Sequence, residues 1–199
     1  MSLFVTFEGI DRSGKTTQIN ILRDKLISMG IEPVMTREPG GTPASERIRD
    51  MLLSSGDIPP VTEAYLFAAS RACHVRELIR PALQQGRIVL CDRFLDSSVA
   101  YQGYGRGLGE ETVMRINKDA VDGLFPDITF FFDLAPEVRA LRGADEDRIE
   151  RSGDGFYAKV REGYLSLAER YKERIVLIDA SLPVGDISYT IFERIKALL

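Results

Sequence analysis

Short apolar runs alternate along this chain with longer segments in which apolar residues recur at every third or fourth position. Five runs predict β-strands: Leu3 to Phe7, Val34 to Thr36, Arg87 to Cys91, Ile128 to Asp133 and Ile175 to Asp179. Helical periodicity predicts helices at about 15–29, 44–54, 61–85, 110–124, 155–173 and 186–198. At least three strands are apolar almost throughout, as strands are when both sheet faces are covered. The alternation predicts an α/β fold in a single domain, with a parallel sheet flanked by helices.

Composition and charge narrow the functional classes. The 199 residues include ten Phe and seven Tyr, and the net charge is −4, so neither disorder nor a general affinity for nucleic acid or membranes is indicated. The sequence has no apolar run of membrane-spanning length and no signal-peptide pattern at its start. Cys73 and Cys91 suit buried, reduced thiols better than a disulfide or a metal site. We expect a cytoplasmic protein without membrane or nucleic-acid partners.

A glycine-rich motif follows the first predicted strand. Residues 9–16, Gly-Ile-Asp-Arg-Ser-Gly-Lys-Thr, match the phosphate-binding pattern G-x-x-x-x-G-K-[ST]. The backbone N–H groups of such a loop and the start of the next helix form an anion-binding nest. In that nest Lys15 reaches the β- and γ-phosphates of a nucleotide, and Thr16 ligates Mg²⁺. A plain glycine turn is the structural alternative, but the position between strand and helix favours phosphate binding.

The loop alone does not separate a kinase from a GTPase switch. The segment Asn117 to Ala120 resembles the guanine-binding pattern N-K-x-D, but its carboxylate stands one position early and it lies in a helical pattern. The D-x-x-G pattern of a switch is also missing after the third strand. We therefore attribute the Asn-Lys pair to chance.

Residues at the ends of the second and third strands predict a site for a second phosphorylated ligand. Asp92 and Arg93 end the third strand, at the sheet edge where ligands bind in open α/β folds. There Asp92 would hold Mg²⁺ and Arg93 would grip an acceptor phosphate. A salt bridge at the strand end is the alternative interpretation. The turn at 36–41 would form a wall of the same cleft.

The helix predicted at 61–85 carries Phe67 and Arg71 on one face. A guanidinium in an apolar helix needs a partner, and a base stacked on Phe67 that accepts from Arg71 would supply one. An arginine that reaches solvent past a core phenylalanine explains the pattern equally well. His74 is interpreted as a helix-surface or core residue, and the glycine-rich stretch from Gln102 to Gly109 as no dinucleotide-binding motif.

Residues 139–155 are rich in arginine and carboxylates and poor in apolar side chains. A solvated loop is the simpler interpretation of that composition. A mobile lid that closes over phosphates is the more specific interpretation, because the arginine side chain binds phosphate groups well.

Eight segments together match a known family: Phe7 to Asp11 with the phosphate loop, Thr36 to Thr42, Leu66 to Arg71, Asp92 to Phe94, Asp96 to Ser98, Ala100 to Gly103, Pro126-Asp127 and Asp147 to Glu150. Through them the chain resembles bacterial thymidylate kinases over essentially its whole length. The resemblance implies a sheet order of 2-3-1-4-5, a homodimer, and transfer of the γ-phosphoryl of ATP to dTMP with Mg²⁺, in dTTP biosynthesis. Another nucleoside monophosphate kinase and a non-catalytic nucleotide-binding regulator are the alternatives.

The resemblance also implies roles for individual residues. Catalysis would involve Asp11, Arg12, Lys15, Arg93 and Arg148. ATP would be bound by Gly9, Ile10, Asp11, Arg12, Ser13, Gly14, Lys15, Thr16, Thr17, Arg142 and Arg151. The dTMP site would comprise Glu38, Pro39, Arg49, Phe67, Arg71, Arg93, Ser98, Tyr101 and Gln102, with Thr16 and Asp92 at the metal. Arg12 is expected to be the main charge stabiliser, while its division of labour with the lid arginines stays open.

Overall fold

The computed structural model describes residues 2–54, 56–143 and 147–199, and these residues include a five-stranded sheet. Its strands are β1 (Leu3–Gly9), β2 (Val34–Arg37), β3 (Ile88–Asp92), β4 (Ile128–Asp133) and β5 (Ile175–Asp179). The strands lie in the order β2-β3-β1-β4-β5, and every neighbouring pair is parallel. The α/β class, the five strands and their order are thereby confirmed.

Helices connect the strands. They are α1 (Lys15–Ser28), α2 (Pro43–Ser54), α3 (Pro60–His74), α4 (Arg80–Gln84), α5 (Leu95–Ser98), α6 (Glu110–Val121), α7 (Pro136–Leu141), α8 (Asp154–Arg170) and α9 (Val184–Lys196). Two π-helical segments, Val75–Ile79 and Val99–Gly105, and a 3₁₀ turn, Glu150–Ser152, complete the helical structure of the described residues. None of the described helices is long and apolar enough to cross a bilayer.

The central strands serve the core on both sides of the sheet. Every residue of β1 is buried, and alternate side chains of a strand point to opposite faces. Accordingly Phe7 packs in one apolar cluster, and Phe4 packs in another with Val89 and Phe94. The pairing also sets the carboxyl ends of β1 and β3 side by side, because Phe7 is the partner of Asp92. Loops that follow these two strands therefore meet at one edge.

The helix predicted at 61–85 is interrupted. Helix α3 ends at His74, a π-helical turn follows from Val75 to Ile79, and α4 begins at Arg80. Pro81 supplies the physical reason, since proline has no N–H to donate and its ring crowds the carbonyl of the preceding turn. The prediction of buried cysteines is confirmed for Cys91, whereas it is wrong for Cys73, which is only half-buried.

A second difference concerns the segment after β3, where no helix was predicted. Helix α5 and the π-helical segment run through Gly103 to Gly105. Gly105 lies against α8, and a Cβ added there would come within 2.6 Å of the Phe156 ring and 2.9 Å of Val160. The glycine is thus explained by close packing of two helices.

Candidate active site

The glycine motif forms a tight loop at the carboxyl end of β1. Gly9, Arg12 and Gly14 have φ angles of 140°, 65° and 93°, and α1 begins directly afterwards. Gly9 has no room for a side chain, because an added Cβ would lie 2.6 Å from the carbonyl oxygen of Phe132 in β4. A curled backbone in front of a helix N-terminus has the geometry of an anion-binding nest.

Lys15 is folded into this loop. Its side chain is buried, and Nζ donates to the carbonyl oxygens of Gly9 at 3.3 Å and of Ile10 at 3.0 Å. Burial and the neighbouring Arg93 lower the pKa of Lys15, against the opposing effect of nearby carboxylates. The buried Ser13 hydroxyl has no hydrogen-bond partner among the described residues. The loop therefore offers an ammonium group and a hydroxyl to a polar ligand.

The two residues predicted to bind metal lie together. Thr16 Oγ1 donates to Asp92 Oδ2 at 3.3 Å, and the other carboxylate oxygen of Asp92 is buried without a partner in the described part of the chain. A hydroxyl and a carboxylate beside a phosphate nest suit Mg²⁺, which takes its remaining ligands from substrate phosphates and water. No group of three or more His, Cys, Asp or Glu side chains forms a metal cage among the described residues.

Arg93 connects the end of β3 with the glycine loop. Its φ of 68° turns the side chain so that one NH2 group donates to Asp11 at 2.6 Å and the other to the Gly9 carbonyl at 2.7 Å. Tyr101 and Tyr157 donate to the second oxygen of Asp11. Burial raises the pKa of Asp11, but the positive charges of Arg93 and Lys15 and the hydrogen bonds from Tyr157 and Arg93 outweigh it, so that this pKa lies below its usual range.

Beneath Arg93 lies a buried carboxylate that the sequence analysis did not single out. Glu8 accepts from the Phe94 N–H at 2.7 Å, from Ser97 at 2.5 Å and from the Tyr164 hydroxyl at 3.0 Å. Burial, followed by the negative charge of Asp96, raises the pKa of Glu8 to about 7. A glutamate directly after a largely apolar predicted strand was the available indication of this position.

A cavity opens beside the glycine loop, and it contains every residue predicted for the dTMP site. These lining residues are Glu38, Pro39, Arg49, Phe67, Arg71, Arg93, Ser98, Tyr101 and Gln102, together with Asp11 of the loop. The sequence analysis missed five further lining residues, which are Leu53, Phe94, Ser97, Asp147 and Ile149. Residues from distant parts of the sequence thus converge where the second ligand was expected.

Arg71 is held in the cavity wall by other buried groups. Its side chain is 1% exposed, and Nε donates to Glu38 at 2.8 Å. The two NH2 groups donate to Asn117, to the Phe94 carbonyl and to Ser98. The alternative of an arginine that reaches solvent is wrong. Asn117, which resembled part of a guanine motif, lies in α6 and serves Arg71 instead.

The turn after β2 forms the adjoining wall. A cis peptide joins Glu38 to Pro39, and Arg49 from α2 donates to the Pro39 carbonyl at 2.9 Å. His74 is fully buried and bridges Glu38 and Thr36, at 3.0 Å and 2.6 Å. As expected it is a core residue, and its position fixes Glu38 for the bond to Arg71.

The arginines of the predicted lid point to three different places. Arg142 is exposed and donates to the Arg12 carbonyl at 3.0 Å, while Arg12 itself pairs with Glu150 at 2.7 Å. Arg148 instead pairs with Glu63 of α3 at 2.7 Å, and Arg151 is exposed beside Asp147. The structure therefore brings Arg142 and Glu150 to the loop but holds Arg148 at α3. Residues 144–146 of the lid prediction lie outside the described residues.

Comparisons with known proteins agree with this geometry. A sequence profile described as thymidylate kinase matches residues 7–191. The chain is 52% identical over 184 residues to a thymidylate kinase of Pelotomaculum thermopropionicum, with 89% of this chain and 85% of that protein covered. For a thymidylate kinase of Prosthecochloris aestuarii the identity is 49% over 208 residues, with 98% and 93% covered. A crystal structure of thymidylate kinase from Ehrlichia chaffeensis matches with a TM-score of 0.81 and 34% identity over 98% of each chain. The chain therefore belongs to the thymidylate kinase family.

Proposed function

We propose that this chain transfers the γ-phosphoryl group of ATP to dTMP with Mg²⁺, holding ATP at the glycine loop and dTMP in the adjoining cavity. The observation that carries the proposal is the position of Arg93, which bonds to Gly9 and Asp11 of the loop and also lines the cavity. An acceptor phosphate bound by Arg93 would therefore lie next to a γ-phosphate bound by the loop.

The transfer depends on positioning and on neutralising charge. An oxygen of the dTMP phosphate attacks the γ-phosphorus, the bond to the bridging oxygen breaks, and ADP leaves with that electron pair. The acceptor is already an anion, so that no strong general base is required. Lys15 and Arg12 would stabilise the charge on the transferred group, and the amides of residues 9–16 would hold the β- and γ-phosphates. Mg²⁺ at Thr16 and Asp92 would neutralise charge on the same phosphates.

The acceptor site would combine stacking with charged hydrogen bonds. Phe67 would stack on the thymine ring and Arg71 would donate to a ring oxygen. Arg49 and Arg93 would bind the phosphate. The remaining predicted contacts, to base, sugar and phosphate, would come from Asp11, Glu38, Pro39, Ser98, Tyr101 and Gln102, all of which line the cavity.

The outer contacts to ATP are also proposals. Thr17 is exposed at the start of α1, where it would contact phosphates, and Arg142 and Arg151 would approach ATP from the lid. Arg148 would take its catalytic role only after leaving Glu63. A homodimer, a cytoplasmic location and closure of 139–155 as a lid in a single-domain enzyme stay predictions.

A panel of acceptors tests the proposed function. ADP formation from ATP and Mg²⁺ is measured with dTMP, dUMP, dCMP and dGMP, and we expect turnover to be fastest with dTMP. The methyl group that separates dTMP from dUMP contributes only about 1–3 kcal/mol, so dUMP should be a slower substrate. Faster turnover of dCMP or dGMP would indicate a different monophosphate kinase. ATP binding without ADP formation on any acceptor would indicate a non-catalytic regulator.

A further inference from the structure

Glu63 is a buried carboxylate of α3, the helix that also supplies Phe67 and Arg71 to the wall of the cavity. It precedes Phe67 and Arg71 by four and eight residues, so the three side chains lie on one face of the helix. Glu63 is completely buried. A buried charge of this kind is tolerated only when it is paired and hydrogen-bonded.

Side chains from two other parts of the chain satisfy this carboxylate. Oε1 accepts from Gln102 Nε2 at 2.9 Å and from Arg106 at 3.2 Å. Oε2 accepts from Arg148 at 2.7 Å and from Arg106 at 3.4 Å. Two guanidinium groups thus surround one carboxylate, and an ionised carboxylate accepts hydrogen bonds but donates none.

This pairing determines the orientation of the Gln102 side chain, which lines the cavity and is 1% exposed. An amide carries a donor at one end and an acceptor at the other. Because Glu63 only accepts, the nitrogen of Gln102 faces it, and the amide oxygen lies at the opposite end as an acceptor. The reversed orientation would set two acceptor oxygens against each other and is therefore unfavourable.

An acceptor at this position distinguishes the pyrimidines. Thymine carries a hydrogen on N3, which donates, whereas N3 of cytosine has a lone pair, which accepts. A Gln102 oxygen directed at N3 therefore attracts thymine and repels cytosine. The orientation of one amide is sufficient to create this difference.

We propose that Glu63 is a positioning residue for base selection, which fixes the amide of Gln102 with its oxygen toward the acceptor base. The inference rests on the proposed function, in which the cavity holds the base of dTMP. Arg106 hydrogen-bonds both oxygens of the carboxylate and so holds it in place, with Arg148 as a further donor while it is paired with Glu63. Glu63 itself touches neither base nor phosphate in this arrangement.

Three variants of the full chain test the assignment. Glu63→Gln keeps the shape of the side chain but presents both a donor and an acceptor, so that Gln102 can adopt either orientation. Glu63→Asp keeps an acceptor-only group. Arg106→Met is the matched control, since it removes one arginine from the same carboxylate but leaves the carboxylate itself. Thermal unfolding of each variant shows that it is folded.

The readout is the Kd of dCMP divided by the Kd of dTMP, both measured in displacement titrations, so that a high ratio means selectivity for dTMP. We expect Glu63→Gln to lower this ratio about tenfold, while Glu63→Asp and Arg106→Met keep it within about twofold of the starting chain. A purely structural role would weaken both ligands equally and leave the ratio unchanged. That result in folded Glu63→Gln, or an equal fall of the ratio in Arg106→Met, overturns the proposal. Failure of the unmodified chain to phosphorylate dTMP would instead refute the proposed function.

Discussion

The glycine loop, which is the proposed ATP or donor side of the site, and the adjoining cavity, which is the proposed dTMP or acceptor side, satisfy their polar groups in different ways. On the acceptor side buried charged side chains pair with one another, because Arg71 of the cavity wall pairs with Glu38, and Glu63, which is bonded to the lining residue Gln102, pairs with Arg148. At the glycine loop the Ser13 hydroxyl and one oxygen of Asp92 are buried without partners in the described residues. The donor side consists mainly of backbone amides, whereas the acceptor side is a network of buried side chains.

This difference between backbone amides and buried side chains corresponds to two tasks, which are phosphate binding and base selection. Every nucleoside triphosphate presents the same phosphate groups, and main-chain N–H groups bind these phosphates without regard to the base. A base is selected by donors and acceptors at fixed positions, and buried networks provide that rigidity. Changes at the loop should therefore affect turnover with little effect on stability. Changes in the acceptor wall should affect stability and acceptor binding together.

The largest effect is expected for Lys15→Ala. Turnover should fall about a thousandfold, as when a preorganised charge on a reacting group is removed. Its bonds in the free protein are to two loop carbonyls, so the melting temperature and the affinity for dTMP should change little. Steady-state kinetics and calorimetry measure these quantities, and Lys25→Ala in the same helix is the control. A large loss of stability in Lys15→Ala would contradict the distinction between the two sides.

Arg71→Met should show the opposite behaviour. Removing one partner of a buried ion pair leaves Glu38 uncompensated and costs about 3 kcal/mol of unfolding free energy. Affinity for dTMP should fall while affinity for ATP is retained, since Arg71 lies in the cavity wall. Denaturant unfolding and separate titrations of both ligands measure the effect. Equal weakening of ATP and dTMP would show that the two sites are not separate.

The next effect is a pH dependence of stability at Glu8. Its pKa rises from 4.5 to about 7 on folding, so the folded state binds more protons than the unfolded state between these values. Glu8 therefore contributes up to about 3 kcal/mol to the free energy of unfolding. This contribution is fully present below pH 4.5 and is lost as the pH rises through about 7. The neighbouring charged and titratable groups are Arg93, Asp96 and Tyr164. Unfolding free energies from pH 4.5 to 8 should show this slope, and Glu8→Gln should flatten it. An unchanged slope in the variant would assign it to other groups.

A smaller effect is expected for Arg12→Ala, which should reduce kcat about tenfold through loss of charge stabilisation at the loop. Arg47 of α2, an exposed arginine with no proposed role at the site, provides the comparison, and Arg47→Ala should stay within about threefold. Steady-state kinetics with saturating substrates distinguish the two variants. If kcat of Arg12→Ala stays within twofold, Arg12 is not the main charge stabiliser.

The sequence was sufficient for those features that depend on local pattern or on position in the sheet. Apolar runs predicted the strands, most clearly the central strands β1, β3 and β4, which are buried on both faces, whereas the edge strands β2 and β5 are only partly buried. The glycine motif was recognisable because its residues are contiguous, and Asp92 and Arg93 because strand ends meet at one edge. The order of the strands came from the resemblance to a family.

The features that were missed depend on contacts between distant residues. No helix was predicted from Leu95 to Gly105, and the packing of Gly105 against α8 is visible only in the fold. Glu63 in a helix resembles any solvated glutamate, and only the fold brings Gln102, Arg106 and Arg148 to it. For the same reason the pairing of Arg148 with α3 was not predictable from the composition of the lid.

The central claim is that the ATP site at the glycine loop and the dTMP site in the cavity adjoin one another. The most direct test uses a single compound in which thymidine and adenosine are joined through five phosphates. One such molecule should bind per chain, and it should inhibit competitively against both ATP and dTMP. Its binding should weaken in Lys15→Ala and also in Arg71→Met, because it occupies both sides. Competition against only one substrate, or simultaneous binding of the compound and dTMP, would contradict the account.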